Sequence, residues 1–200
     1  MSPRPGPRLF VLSGPSGVGK TTIVRALLHE VEEMEVEFSV SCTTRPPRPG
    51  ERDGRDYHFI SQEEFAELVE AGEFLEWAEV YGHRYGTLRT EVERRLSRGK
   101  GVLLDIDTQG ARLIRRRGRR LGLPMRFIFI LPPSKEELER RIEQRKSESD
   151  QELERRLRAA WREVEAGGWF DYLVVNRDLQ LSILWVTRLI RLERGRGWPG

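Results

Sequence analysis

The chain has 200 residues, 38% of them hydrophobic and 34% charged, a balance that excludes a disordered polypeptide and suits one folded domain carrying small inserted lobes. No apolar run is long enough to span a bilayer, the N-terminus lacks a signal-peptide core, and Cys42 is the single cysteine. An internal disulfide is therefore excluded, and a reducing compartment, the cytoplasm, is expected. The formal charge is +3, and arginine alternates with acids, as in Glu139-Arg140-Arg141-Ile142-Glu143, which reads as a salt-bridged surface. Neither a nucleic acid nor a membrane is expected as a partner.

Residues 1–8 form a loose lead-in rich in Pro, Gly and Arg. Leu9-Phe10-Val11-Leu12 reads as a short buried strand, and apolar residues recur at helical spacing from Thr22 to about Glu33. Between them stands Gly14-Pro15-Ser16-Gly17-Val18-Gly19-Lys20-Thr21, a full match to G-x-x-x-x-G-K-[ST] in its required strand–loop–helix setting. Such a loop offers backbone N–H groups and a helix N-terminus to phosphate oxygens. Lys20 reaches the terminal phosphates, and the Thr21 hydroxyl suits a magnesium ion. A nucleoside triphosphate is the expected ligand.

Residues 36–41 alternate like a strand, and the proline-stiffened, basic loop 43–50 follows. Tyr57 to Ile60 resumes as a strand, and Ser61 with Glu64 forms a capping box that opens a helix ending at Gly72. Residues 73–81 alternate again, and Gly82 to Thr87 is expected to turn the chain. Further helices are expected at about 88–98, 134–145, 151–166 and 179–192, with buried strands at 101–107, 125–131 and 172–175. Strands alternating with helices imply an α/β fold with a parallel sheet in a three-layer core. The expected division is a core of residues 1–37, 88–132 and 166–200, an inserted lobe at 38–87, and a helical lid at 133–165.

Several residues outside the loop carry candidate chemistry. Asp105 and Asp107 end a buried strand, where ligand crevices form in open α/β sheets. One can hold magnesium and the other a second substrate, or both can simply cap. Arg45 and Arg48 on the stiff loop, with Tyr57 downstream, suit a dianionic monophosphate. Arg141, Arg145 and Arg156 flank a polar hinge at 146–150, where arginines on a movable lid neutralise charge during phosphoryl transfer. Any one of these is also compatible with a solvated helix charge. Glu76 is a carboxylate inside an apolar strand. It can accept two N–H bonds from guanine, with hydroxyls of Ser41 and Thr87 meeting O6, a pattern that adenine reverses.

Taken together, these motifs resemble the guanylate kinase family from about residue 8 to 192. The matching segments are residues 13–21, 39–51, 56–59, 73–78, 85–87, 104–110, 132–134 and 174–176. The resemblance implies transfer of the γ-phosphoryl group of ATP to GMP, with magnesium, by a core, a GMP-binding lobe and a lid. It implies an ATP-binding loop of Gly14, Pro15, Ser16, Gly17, Val18, Gly19, Lys20, Thr21 and Thr22, with Asn176 at the adenine. Arg45, Arg48, Tyr57 and Tyr85 would clamp the GMP phosphate, and Ser41, Glu76 and Thr87 would read guanine. Asp105 and Asp107 would lie near ribose, base and magnesium. Lys20, Arg48, Arg145 and Arg156 would serve transfer, supported by Arg141. Departures from the family pattern fall at Arg84, Lys146 and Arg177, none of which removes a motif residue. The alternatives are a kinase of another small phosphorylated acceptor and a non-catalytic phosphopeptide-binding module.

Overall fold

The computed structural model describes residues 8–80, 82–143 and 150–195. Its first strand, β1 (Leu9–Ser13), is buried along its whole length. The reason is visible in where alternate residues go: Phe10 and Leu12 pack into one apolar cluster, Leu9 and Val11 into another. A strand covered on both faces must be apolar at every position, which accounts for the unbroken run in the sequence.

After β1 come α1 (Lys20–Glu33), β2 (Val36–Phe38), β3 (Cys42–Thr43), β4 (His58–Phe59), α2 (Gln62–Glu70), β5 (Phe74–Val80) and β6 (His83–Leu88). The chain continues through α3 (Arg89–Ser97), β7 (Gly101–Asp105), α4 (Thr108–Arg120), β8 (Met125–Leu131), α5 (Lys135–Glu143), α6 (Asp150–Glu165), β9 (Tyr172–Val175) and α7 (Leu179–Glu193). A five-stranded parallel sheet has the order β2-β7-β1-β8-β9. Helices α1 and α7 cover one face through Ile23, Leu27, Val186 and Ile190. Helices α3 and α4 cover the other through Val92, Ala111 and Ile114. The α/β core with a parallel sheet is as expected.

A second, four-stranded sheet of order β4-β3-β6-β5 is built from residues 42–88 and carries its own cluster around Cys42, Phe65 and Phe74. Burial pushes the Cys42 thiol up to about 11, so it is protonated and inert. Helices α5 and α6 share a further cluster of Leu138, Ile142 and Ala160.

The structure corrects the sequence reading in three places. Residues 83–88 form a strand paired antiparallel with β5, so the turn is confined to the residues just before His83. Residues 39–41 leave β2, because Ser39 and Ser41 are where the chain passes from the parallel sheet to the second one. Helix α4 was not expected. Its buried stripe is Gly110, Ala111, Ile114 and Gly118, and glycines carry no apolar signal between Arg112, Arg115, Arg116, Arg117, Arg119 and Arg120.

Candidate active site

The loop after β1 reaches α1 through Gly19, whose φ of 94° is open to glycine and strained for other residues. A side chain there is also barred by space, since its Cβ would lie 2.8 Å from Asn176 Nδ2. No side chain caps α1. The Val18 amide bonds to Pro15 O within the loop, whereas the amides of Gly17, Gly19, Lys20 and Thr21 have no acceptor among the described residues. A helix start with unmet donors is costly unless an anion supplies the acceptors. This is the arrangement that a triphosphate fits.

Lys20 Nζ lies 2.7 Å from Asp105 Oδ1 and donates to Ile106 O at 2.9 Å. Asp107 Oδ1 accepts from Gly110 N at 2.7 Å and so caps α4. Of the pair, Asp107 caps a helix and Asp105 instead holds Lys20, and both line the cleft. Thr21 lines it too. The described residues contain no cluster of His, Cys, Asp and Glu able to cage a metal alone. The Thr21 hydroxyl with the Asp105 and Asp107 carboxylates along the cleft would fit magnesium held jointly with substrate phosphates, the usual mode for this ion.

The cleft measures about 730 Å³ and continues from the phosphate loop to the second sheet. There it is lined by Ser41, Arg45, Arg48, Tyr57, Glu76 and Tyr85. Arg45 is buried, and its Nη2 meets both carboxylate oxygens of Glu51 at 2.9 Å. Its guanidinium lies 5.5 Å from the centre of the Tyr57 ring, which in turn packs edge-on against Tyr85 at 5.8 Å. Glu51 also accepts from Arg48 N at 2.7 Å. One carboxylate thus organises the arginine loop. The sequence reading missed this role, although an acid placed among Arg45, Arg48 and Arg52 was a usable signal.

Glu76 is 3% exposed. Burial pushes its carboxyl up to about 7, the Thr87 hydrogen bond pulls it down, and the Asp107 charge adds to the rise. Its Oε2 packs so closely on α4 that a Cβ at Gly110 would approach it to 2.8 Å. Thr87 itself is fully buried behind Glu76 and does not line the cleft. Its hydroxyl is given to Glu76 rather than held out to a ligand, which departs from the expected pairing of Thr87 with guanine O6.

From α6, Arg156 Nη2 lies 3.3 Å from Ser16 Oγ, and from α5, Arg141 Nη1 lies 3.4 Å from Val18 O. Arg145 falls outside the described residues. Asn176 is buried and off the cleft: its Nδ2 donates to Val18 O at 2.7 Å and its Oδ1 accepts from Ser182 Oγ at 2.9 Å. One end of the amide braces the loop and the other holds α7, whereas the resemblance implies an adenine contact. Glu163, absent from the expected set, lines the cleft and accepts from Ser16 N at 3.2 Å.

Comparison with known proteins fits this geometry. The family model for guanylate kinase matches residues 6–193. The chain belongs to the guanylate kinase family. A guanylate kinase of Thermotoga maritima is 47% identical over 189 residues, spanning 94% of this chain and 88% of that protein. One of Vibrio cholerae is 46% identical, spanning 93% and 88%. The crystal structure of guanylate kinase from Anaplasma phagocytophilum matches with a TM-score of 0.79 at 36% identity, over 96% of this chain and 88% of that one.

Proposed function

We propose that the protein transfers the γ-phosphoryl group of ATP to GMP, giving ADP and GDP. The observation that carries this reading is one cleft joining the loop amides of Gly17, Gly19, Lys20 and Thr21, which have no acceptor among the described residues, to the buried Glu76 carboxylate. Membership of the guanylate kinase family supports it. In the division of labour we assign, residues 38–87 hold GMP, residues 133–165 close over ATP, and the remainder forms the core.

The loop amides receive the donor phosphates, and Lys20 leaves Asp105 to meet the γ-phosphate. Thr21, together with the substrate phosphates, would hold magnesium, which would supply charge neutralisation for the transfer. Arg45, Arg48, Tyr57 and Tyr85 hold the GMP phosphate, with Arg45 exchanging Glu51 oxygens for phosphate oxygens of the same geometry. Ionised Glu76 accepts from guanine N1–H and the exocyclic amine, Ser41 donates to O6, and Thr87 steadies Glu76. A GMP phosphate oxygen then bonds to the γ-phosphorus as the bond to the β–γ bridging oxygen breaks, and ADP leaves with that oxygen. Arg48 and Arg156, with Arg145, neutralise the equatorial oxygens in the transition state.

The test is a coupled ADP-release assay with ATP and magnesium, offering GMP, AMP, CMP and UMP in turn. Strong release with GMP alone is expected. Preference for another acceptor would overturn the guanine pocket, and GMP binding without turnover would move the chain to a binding role.

A further inference from the structure

We infer that Glu163 is a positioning residue for phosphoryl transfer, tying helix α6 to the phosphate loop through the amide of Ser16. Two side chains about two turns apart on one face of α6 converge on this one residue. The Glu163 carboxylate takes the Ser16 amide hydrogen at 3.2 Å, and the Arg156 guanidinium lies 3.3 Å from the Ser16 hydroxyl. Ser16 is thus held at two atoms, its amide and its hydroxyl, by the helix that carries Arg156.

Glu163 occupies an expensive place for a carboxylate. Burial pushes it up to about 7 despite the nearby Lys20 charge, and Asp107 repels it. Among the described residues no arginine or lysine forms an ion pair with it, and Ser16 N is its hydrogen-bond partner. A half-buried acid with so little compensation is retained for geometry rather than stability. The geometry is selective as well. Glu163 uses the Ser16 amide and leaves those of Gly17, Gly19, Lys20 and Thr21 to the substrate. It therefore fixes where α6 stands without competing for those donors. A displacement of about 1 Å at a transfer arginine is enough to cost on the order of a hundredfold in rate.

The role acts through an acceptor atom, so isosteric replacement separates it from a charge effect. Steady-state kcat and KM for ATP and GMP are measured for the wild type, Glu163→Ala, Glu163→Gln and Glu163→Asp, with thermal melts as a folding check. Glu163→Ala is expected to lose more than tenfold in kcat with KM for ATP changed less than threefold. Glu163→Gln, which keeps an acceptor, is expected to recover most of the rate, whereas Glu163→Asp, one methylene short, is not. A kcat for the alanine variant within twofold of wild type would overturn the inference. So would a glutamine variant as slow as alanine, because the charge would then matter and not the tie. Should the alanine variant not fold, the contrast between glutamine and aspartate decides alone. The inference builds on the transfer role given to Arg156, so Arg156→Ala is measured alongside: an unchanged kcat there refutes that role, independently of Glu163.

Discussion

The Thr87 hydroxyl donates a 2.7 Å hydrogen bond to Oε1 of Glu76, across the β5–β6 pairing that sets the two residues side by side. In the proposed guanine site Glu76 acts ionised, yet burial pushes it up to about 7. The free protein is therefore mostly protonated at this position below that value and mostly ionised above it. Binding of GMP favours the ionised form, so apparent affinity falls as pH falls. Between pH 8 and pH 6 the ionised fraction drops about tenfold, and the KM for GMP is expected to rise by a similar factor. The GMP phosphate also titrates near pH 6. Glu76→Gln separates the two effects: it should raise KM for GMP, weaken discrimination against AMP and flatten the pH profile of KM above pH 6.5. An unchanged GMP/AMP ratio would remove Glu76 from the guanine site.

Lys20 rests on Asp105 and Ile106 O, within reach of the open loop amides. Lys20→Ala is expected to lower kcat by at least about a hundredfold, the scale of removing one preorganised electrostatic contact. The melting temperature should move by only a few degrees. Near-normal turnover would refute the donor-site assignment.

Arg45 gives Nη2 to both Glu51 oxygens and Nη1 to Pro46 O, a planar spread of donors that an ammonium cannot reproduce. Arg45→Lys is expected to weaken GMP by about 1.5–3 kcal/mol, the worth of a charge-assisted hydrogen bond, and thus to raise its KM roughly ten- to a hundredfold. KM for ATP should hold steady. A parallel rise in both constants, seen in initial-rate titrations, would instead mean that the arginine loop supports the whole cleft.

Asn176 ties the end of β9 to the phosphate loop. Asn176→Ala leaves the Val18 carbonyl without this partner, at a cost of about 1–3 kcal/mol. A calorimetric melting temperature lower by roughly 5 °C is expected for a chain of this size, together with a raised KM for ATP. A change in KM without loss of stability would return Asn176 to direct contact with the nucleotide.

Much was legible in the sequence because the information was local. The phosphate loop shows itself because glycine, lysine and threonine must stand at fixed spacing between a strand and a helix. The buried strands β1, β7 and β8 show themselves because burial on both faces demands unbroken apolar runs. Helix α2 announces its start through the Ser61–Glu64 capping box, which the structure contains in full. The second strand of the hairpin, β6, was not legible, because Gly82-His83-Arg84 reads as a turn until its pairing with β5 is known. Helix α4 hid behind arginines and glycines.

By itself, then, the sequence determined the class of the fold, the phosphate-loop motif and the types of residue that the fold gathers along one cleft, since each follows from chemistry between near neighbours in the chain. Only the tertiary structure decided which way the side chains were spent. Thr87 serves Glu76, Asn176 serves Val18 and Glu163 serves Ser16, because each partner comes from a different element of the fold. A hydrogen bond is a matter of a few ångströms in space, and spacing along the chain carries no record of contacts between strands, helices and loops that meet only on folding.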